Sequence, residues 1–399
     1  SDLTGNLTLN MGAGNDSFNS AKLKNGDSVD MGAGDDTVWL MLTGSNGTPT
    51  IANANLTKFD GGAGTDTLYT EESGTNTTEL ILNDTFGATN FENLIGTGGA
   101  ETIKGDANNN ILGGGGGNDI LYGYGGDDTL YGNGKRHNSD YGSDDQNVTG
   151  NNTLYGGAGN DTLVGGYHDD ILDGGTGTDT LTGGNGADTI VVRSGDGSTT
   201  LANSNVLSDF SNGSDIIAMD GLSFSDLTIE QGTGDYASHT LVKITSSGEY
   251  LLILQNTTAS DINIYDFSST STDPLTLSGT SGDDGLVGGA GNDTFNGGAG
   301  SDTLLGFAGN DTFNISSKSG AYSETINGGS GSDSLSISYT GVSDLGDLSP
   351  ISGSSSTGYY TLTDANGGTI KFQNIETLIV GDYTYTLNTS NKTYWNSTE

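Results

Sequence analysis

Between Gly96 and Val191 a large apolar residue recurs at intervals of nine, with polar residues and glycines between: Ile103, Leu112, Leu121, Leu130, Leu154, Leu163, Leu172, Leu181 and Ile190. Around each the chain reads G-G-x-G-x-D-x-U-x, with U the apolar residue, as in Gly156-Gly157-Ala158-Gly159-Asn160-Asp161-Thr162-Leu163-Val164. Glycines stand where the chain must turn tightly, the aspartate ends the turn, and Thr-Leu-Val reads as a short strand. One apolar residue per unit makes a thin core. It is buried only if successive units stack as a two-sheet coil with two units per rung, so a single unit cannot fold alone.

The same pattern divides the chain into zones. From 1 to 95 the turn recurs at wider intervals, at Met11 to Asp16, Met31 to Asp36 and Gly61 to Asp66, with strand-like stretches such as Thr37-Val38-Trp39-Leu40 between, which predicts an irregular β-solenoid. Residues 96–191 form the tandem run, broken once by an insertion over 135–149. From 192 to 274 glycine thins and ordinary strands appear, such as Tyr250-Leu251-Leu252-Ile253-Leu254, as in a cap that hides the last rung. A second tandem run fills 275–336, and 337–399 reads as a C-terminal β cap. Helix signals are nearly absent, so the chain is predicted to be all-β: parallel solenoid runs with glycine-rich turns, interrupted and capped by β-sandwich-like segments.

Charge gives the turns a chemistry. Asp plus Glu outnumber Lys plus Arg 51 to 11, and a net charge of −40 repels a compact state unless counter-ions sit within it. Cations are the partners this predicts, whereas nucleic acid is disfavoured because phosphate is bound with basic residues. With no Cys among 399 residues, bound metal is the staple that fits. No apolar run is long enough for a membrane-spanning helix. Ser1 to Gly5 lack the basic and apolar stretches of a secretory leader and no Met starts the chain, which predicts processing or a preceding segment.

Calcium takes six to eight oxygens and mixes carboxylates with backbone carbonyls. Glycine-rich turns leave carbonyls unshielded, and the acid at position six adds the charged oxygen. Units two apart lie over one another on one edge, so each edge becomes a row of ions. One edge stacks Glu101, Asp119, Asn152, Asp170 and Asp188, and the other stacks Asn110, Asp128, Asp161 and Asp179. The second run pairs Asp284 with Asp302 and Asp293 with Asp311, and Asp16, Asp36, Asp66 and Asp333 are the outlying candidates. Pairs that use Asn110 or Asn152 lose a charge and are expected to bind more weakly. About ten ions are expected in all, with magnesium disfavoured because it prefers rigid octahedral sites and keeps water. Asp-Gly clusters also form turns with no metal at all, which accounts for an acid such as Asp106 but not for acids held in register at position six.

These residues resemble the RTX (repeats-in-toxin) family, most closely over 96–191 and 279–314. The segments Leu207-Ser208-Asp209-Phe210 to Asp215 and Gly248-Glu249-Tyr250-Leu251 are similar to stretches that follow RTX runs. The resemblance implies a parallel β-roll, type I export with an uncleaved C-terminal signal, and folding on extracellular calcium. Family members include cytolysins, proteases, lipases, epimerases, adhesins and surface-layer proteins, and the repeat does not choose among them.

Enzyme signatures are missing from the sequence. None of the three histidines, His137, His168 and His239, begins an H-E-x-x-H, and there is no G-x-S-x-G elbow. The reading that results is a secreted, non-enzymatic, calcium-binding structural protein of the bacterial cell surface, of surface-layer or adhesin type. It is expected to self-associate into an array, with cell-surface glycan or lipopolysaccharide as a further contact. The alternative is a C-terminal export and folding module of a larger secreted enzyme or adhesin. Two local features remain. The insertion at Lys135 to Thr149 reads as a tolerated surface loop, or as a source of Asp140, Asp144 or Asp145 for the edge that Asn152 weakens. Tyr122 and Tyr155, at outward position nine, are expected to stack as an aromatic ladder.

Overall fold

The computed structural model describes residues 6–396 except 21, 22, 24, 43–55, 73–77, 85–86, 134–149, 317, 319, 339–341, 349–351, 354–358, 365–366 and 389–392. Among the described residues there is no α-helix, only strands and short 3-10 turns. The protein is all-β, and its strands build parallel β-rolls. The chain divides into two compact units, residues 1–216 with 229–261 and residues 217–228 with 262–399. The insertion over 135–149 lies outside the described residues.

In the first unit successive strands alternate between the two sides of a coil, and the first side opens with a separate four-stranded parallel sheet, Thr8–Asn10, Ser28–Asp30, Lys58–Asp60 and Ala88–Thr89. Thr78–Ile81, Glu101–Lys104, Ile120–Gly125, Thr153–Ala158, Ile171–Thr176 and Thr189–Arg193 pair in that order on one side. Ser17–Ser20, Thr37–Leu42, Thr67–Glu72, Asn93–Ile95, Ile111–Gly113, Thr129–Tyr131, Thr162–Tyr167, Thr180–Asn185 and Asn205–Leu207 pair on the other. The irregular first zone is therefore continuous with the tandem run through this second sheet. Tyr250–Leu254 adds to it in parallel, and Thr240–Ile244 then pairs antiparallel, which ends the coil.

Register explains the nine-residue spacing. Leu94, Leu112, Leu130, Leu163, Leu181 and Leu207 face one another in one column, and Leu80, Ile103, Leu121, Leu154, Leu172 and Ile190 in the other. Every one of them is at most 1% exposed. In the tandem run most strands supply a single apolar side chain to these columns, so every rung depends on its neighbours above and below. Leu163→Ala is accordingly expected to cost about 2–5 kcal/mol, the range for a buried leucine that leaves a cavity. Denaturant unfolding in saturating calcium measures it, and a change well under that range would contradict the shared column.

The turns stack as closely as the strands. Gly159 has φ of 140°, and a Cβ placed there would lie 1.8 Å from the carbonyl oxygen of Gly126 in the rung below. Any side chain at that position would force the turns apart. Outside the roll, Tyr122 and Tyr155 stack with ring centres 4.9 Å apart and planes 6° from parallel, as their shared register requires.

The second unit repeats the plan with phenylalanine. Thr276–Ser278, Thr294–Asn296, Thr312–Ile315, Ser334–Ile337 and Thr377–Val380 form one parallel stack. Gly285–Val287, Thr303–Leu305, Ser323–Asn327 and Thr369–Gln373 form the other. Phe295, Phe313, Leu335 and Leu378 line one core column, and Leu304, Ile326 and Phe372 the facing one. Both stacks finish in antiparallel pairs, at Tyr360–Thr363 and Tyr383–Asn388.

Candidate metal centre

Position-six acids lie two residues before each core residue, so they sit at the end of the turn with the side chain folded inward. Asp119, Asp128, Asp161, Asp170, Asp179, Asp188, Asp302, Asp311 and Asp333 are all buried. Each uses Oδ1 to accept the backbone N–H of the position-six residue one rung earlier on the same edge. On one edge Glu101 donates to Asp119, Asp119 to Asn152, Asn152 to Asp170 and Asp170 to Asp188, over 2.6 to 3.1 Å. On the other Asn110 donates to Asp128, Asp128 to Asp161 and Asp161 to Asp179, over 2.7 to 2.9 Å. The structure thus places these residues on two edges in the order their spacing predicts.

Outlying turns join the same ladders. Asp16 donates to Asp36 and Asp36 to Asp66, each at 2.7 Å, and Asp66 donates to Oε2 of Glu92 at 2.7 Å. In the second unit Asp284 donates to Asp302 at 3.0 Å, Asp293 to Asp311 at 2.8 Å and Asp311 to Asp333 at 2.8 Å. Several ladder members were not legible from the glycine spacing: Glu92, Asn205, Asp215, Glu324 and Glu376. Asp179 donates to Asn205, Asp188 to Asp215 and Asp333 to Glu376, over 2.8 to 3.1 Å. Their common signal is an acid or amide two residues before a buried apolar one, as in Glu92-Asn93-Leu94, Glu324-Thr325-Ile326 and Glu376-Thr377-Leu378.

With Oδ1 engaged, Oδ2 is left over. In Asp16, Asp36, Asp66, Asp119, Asp128, Asp161, Asp170, Asp179, Asp188, Asp311 and Asp333 it is buried with no hydrogen-bond partner. Beside nine of the eleven stands the position-one glycine, while Asp16 and Asp36 have Met11 and Met31 there. A Cβ on Gly156 would fall 2.5 Å from Oδ2 of Asp161 and 2.6 Å from the carbonyl oxygen of Gly174, and one on Gly165 would meet Oδ2 of Asp170 and the carbonyl of Gly183. Glycine therefore leaves open a cradle in which a charged oxygen and a carbonyl of the next rung converge. Orphaned charged oxygens at this burial are costly, and hard oxygen donors of this mixture fit calcium. No group of three or more His, Cys, Asp or Glu suited to a metal occurs among the described residues. Each of these turns buries at most a single acid, at position six, and the carbonyls that converge on it are the further oxygen donors at hand.

The electrostatics agree. Burial pushes the carboxyl of Asp119 up to about 8, with the backbone N–H of Glu101 opposing it and the Glu101 charge adding to it. Burial raises Asp128, Asp170, Asp179 and Asp311 to about 7, and Asp66, Asp188 and Asp333 to about 6, with nearby acids pushing the same way. Without a cation the groups raised to about 7 or 8 hold protons near neutrality.

Five of the sixteen candidates are engaged differently, among them Asp302, whose Oδ2 accepts from Lys318 at 2.9 Å. Both carboxylate oxygens of Glu101 accept from Thr97, through its hydroxyl at 2.6 Å and its N–H at 3.2 Å. Asn152 donates its amide to Oδ1 of Asn133 and to the carbonyls of Gly150 and Gly165, at 3.1 to 3.5 Å, so an N–H group faces the carbonyls of its cradle. Asp284 accepts from the N–H of Thr280 at 2.6 Å, and Asp293 from that of Gly289 at 2.9 Å.

A family model described as the RTX calcium-binding nonapeptide repeat (4 copies) matches residues 95–130, 148–181, 164–198, 276–314 and 319–336. No curated protein matches the chain. Among solved structures, an extracellular lipase LipA from Serratia marcescens is similar at 15% identity over 78% of this chain and 43% of that one, with a TM-score of 0.18. A likeness this slight carries no argument about activity. No helix among the described residues is long and apolar enough to cross a membrane. The repeat match covers eight of the eleven turns that orphan a carboxylate oxygen, those of Asp119 to Asp188 and of Asp311 and Asp333, and the chain carries RTX calcium-binding nonapeptide repeats in both of its units.

Proposed function

We propose that the protein is a secreted, non-enzymatic structural component of a bacterial cell surface, of surface-layer or adhesin type, in which rows of calcium ions rigidify the rolls. The observation that carries this reading is the run of buried, unpartnered Oδ2 atoms along the ladders, from Asp16 to Asp179, from Asp119 to Asp188, and at Asp311 and Asp333. Filling those cradles takes about ten divalent ions, and that would offset half of the excess negative charge. Lengthwise repetition of stacked rungs suits a load-bearing part. Cell-surface glycan or lipopolysaccharide is a contact consistent with the Tyr122 and Tyr155 ladder and the acidic, calcium-bridgeable surface.

Electron microscopy and sedimentation of the purified chain test the proposal. On adding calcium, ordered sheets or fibres are expected, and they should disperse again in chelator. Monomers that persist at saturating calcium would overturn the array and favour a folding module carried by a larger secreted protein.

A further inference from the structure

One cradle of the second unit holds a cation that belongs to the chain. The rungs that stack Asp302 below Glu324 and Asp311 below Asp333 are 22 residues long, four more than the 18 between Asp293 and Asp311. The added turn carries Lys318 inward. Its side chain is 1% exposed, and the carboxylates of Asp302 and Glu324 are fully buried. Nζ lies 2.9 Å from Oδ2 of Asp302, donates to the carbonyl oxygen of Gly300 at 3.1 Å, and pairs with Oε1 of Glu324. It also stands 5.3 Å from the centre of the Tyr322 ring, whose hydroxyl donates to Oδ2 of Asp364 at 3.1 Å.

The ammonium therefore hydrogen-bonds a position-six carboxylate and a carbonyl of the glycine turn, and forms an ion pair with the acid that stacks on that carboxylate. On the opposite edge of the same unit Asp311 and Asp333 stack in the same way with Oδ2 unpartnered. The two edges differ in the lysine. A surface ion pair of this kind would contribute little, but here an enclosed ammonium offsets the charge of two carboxylates that would otherwise be buried unpaired.

We propose that Lys318 is a tethered cation that occupies the Asp302–Glu324 cradle in place of calcium, so that this rung carries no metal and becomes a divalent-cation site when the lysine is removed. The lysine's place rests on its own contacts, and the conversion rests in addition on the reading of the turns as calcium cradles.

Two measurements on the full chain separate these parts. In saturating calcium, acylation with an N-hydroxysuccinimide ester followed by peptide mass mapping compares Lys318 with Lys58, whose side chain is 42% exposed. Lys318 is expected to react at least about tenfold more slowly, since it reacts only through local opening. Equal rates would show that calcium has displaced it and would overturn the proposal. Native mass spectrometry in calcium then counts ions, and Lys318→Met is expected to bind one more than the parent chain. A folded variant with an unchanged count also overturns the proposal. If the variant does not fold, the labelling of the parent chain decides alone. A parent chain that binds no calcium would overturn the cradle reading, while a slow Lys318 would still uphold the lysine.

Discussion

Stripping calcium from the protein is expected to abolish most of its β-structure, and restoring calcium to recover it. Many of the strands are three or four residues long, most in the tandem run bury one apolar side chain, and no disulfide ties the rungs together. Against that thin core stand buried carboxylates stacked one above another on each edge, within a chain of net charge −40. Ligand binding that exists only in the folded state is folding free energy, so the metal and the fold should come and go together. Far-UV circular dichroism in chelator, and again after calcium is added, reads this directly. Magnesium should restore far less, because it gives up its water reluctantly and demands an octahedral site. A β spectrum that survives chelation unchanged would contradict the coupling.

Acid is expected to act on the metal-free chain in the reverse of its usual direction. The position-six carboxyls of Asp119, Asp128, Asp170, Asp179 and Asp311 are raised to between about 7 and 8 in the folded chain by burial. Unfolded, they titrate near the ordinary aspartate value of about 3.9. Between those limits the folded state holds more protons than the unfolded one, so its stability falls as pH rises through the window and grows as pH is lowered. Metal-stripped protein should therefore gain β-structure on going from about pH 8 to pH 5, helped by the loss of net negative charge. Calcium reverses the effect, because protons and calcium compete for the same oxygens, and the calcium midpoint should move to higher concentration at pH 6 than at pH 8. Circular dichroism over both titrations checks the pair of signs. Metal-free chain that loses structure on mild acidification would show that the carboxyls are not buried as described.

Glycine spacing in the sequence was sufficient to place the core columns and the two edges of the tandem run, because there the turns have one length. It was insufficient elsewhere, and the reason is physical. What the ladder needs is an acid two residues ahead of a buried apolar side chain; the glycines only make an acceptable turn before it. Glu92 and Glu376 meet the need without the glycine signature, and so lay hidden. Lys318 was hidden for another reason, since nothing in Ser316 to Gly320 says that a longer turn will fold its lysine inward. Asn152 was read correctly as a missing charge, but its amide donors, turned onto the carbonyls of Gly150 and Gly165, show only in the folded arrangement.

The ladder bond has one more consequence. The same N–H to carboxylate contact joins turns that are 18, 20, 22, 26, 30 and 33 residues apart. Asp128 meets Asp161 across the insertion as closely as Asp161 meets Asp179 without one. The coil thus keeps the same bond across surplus chain of different lengths, as though nothing had been added. Such a body is a rack: cargo of almost any sequence can be hung from an edge, changed or lost, while the spindle that carries it keeps its pitch.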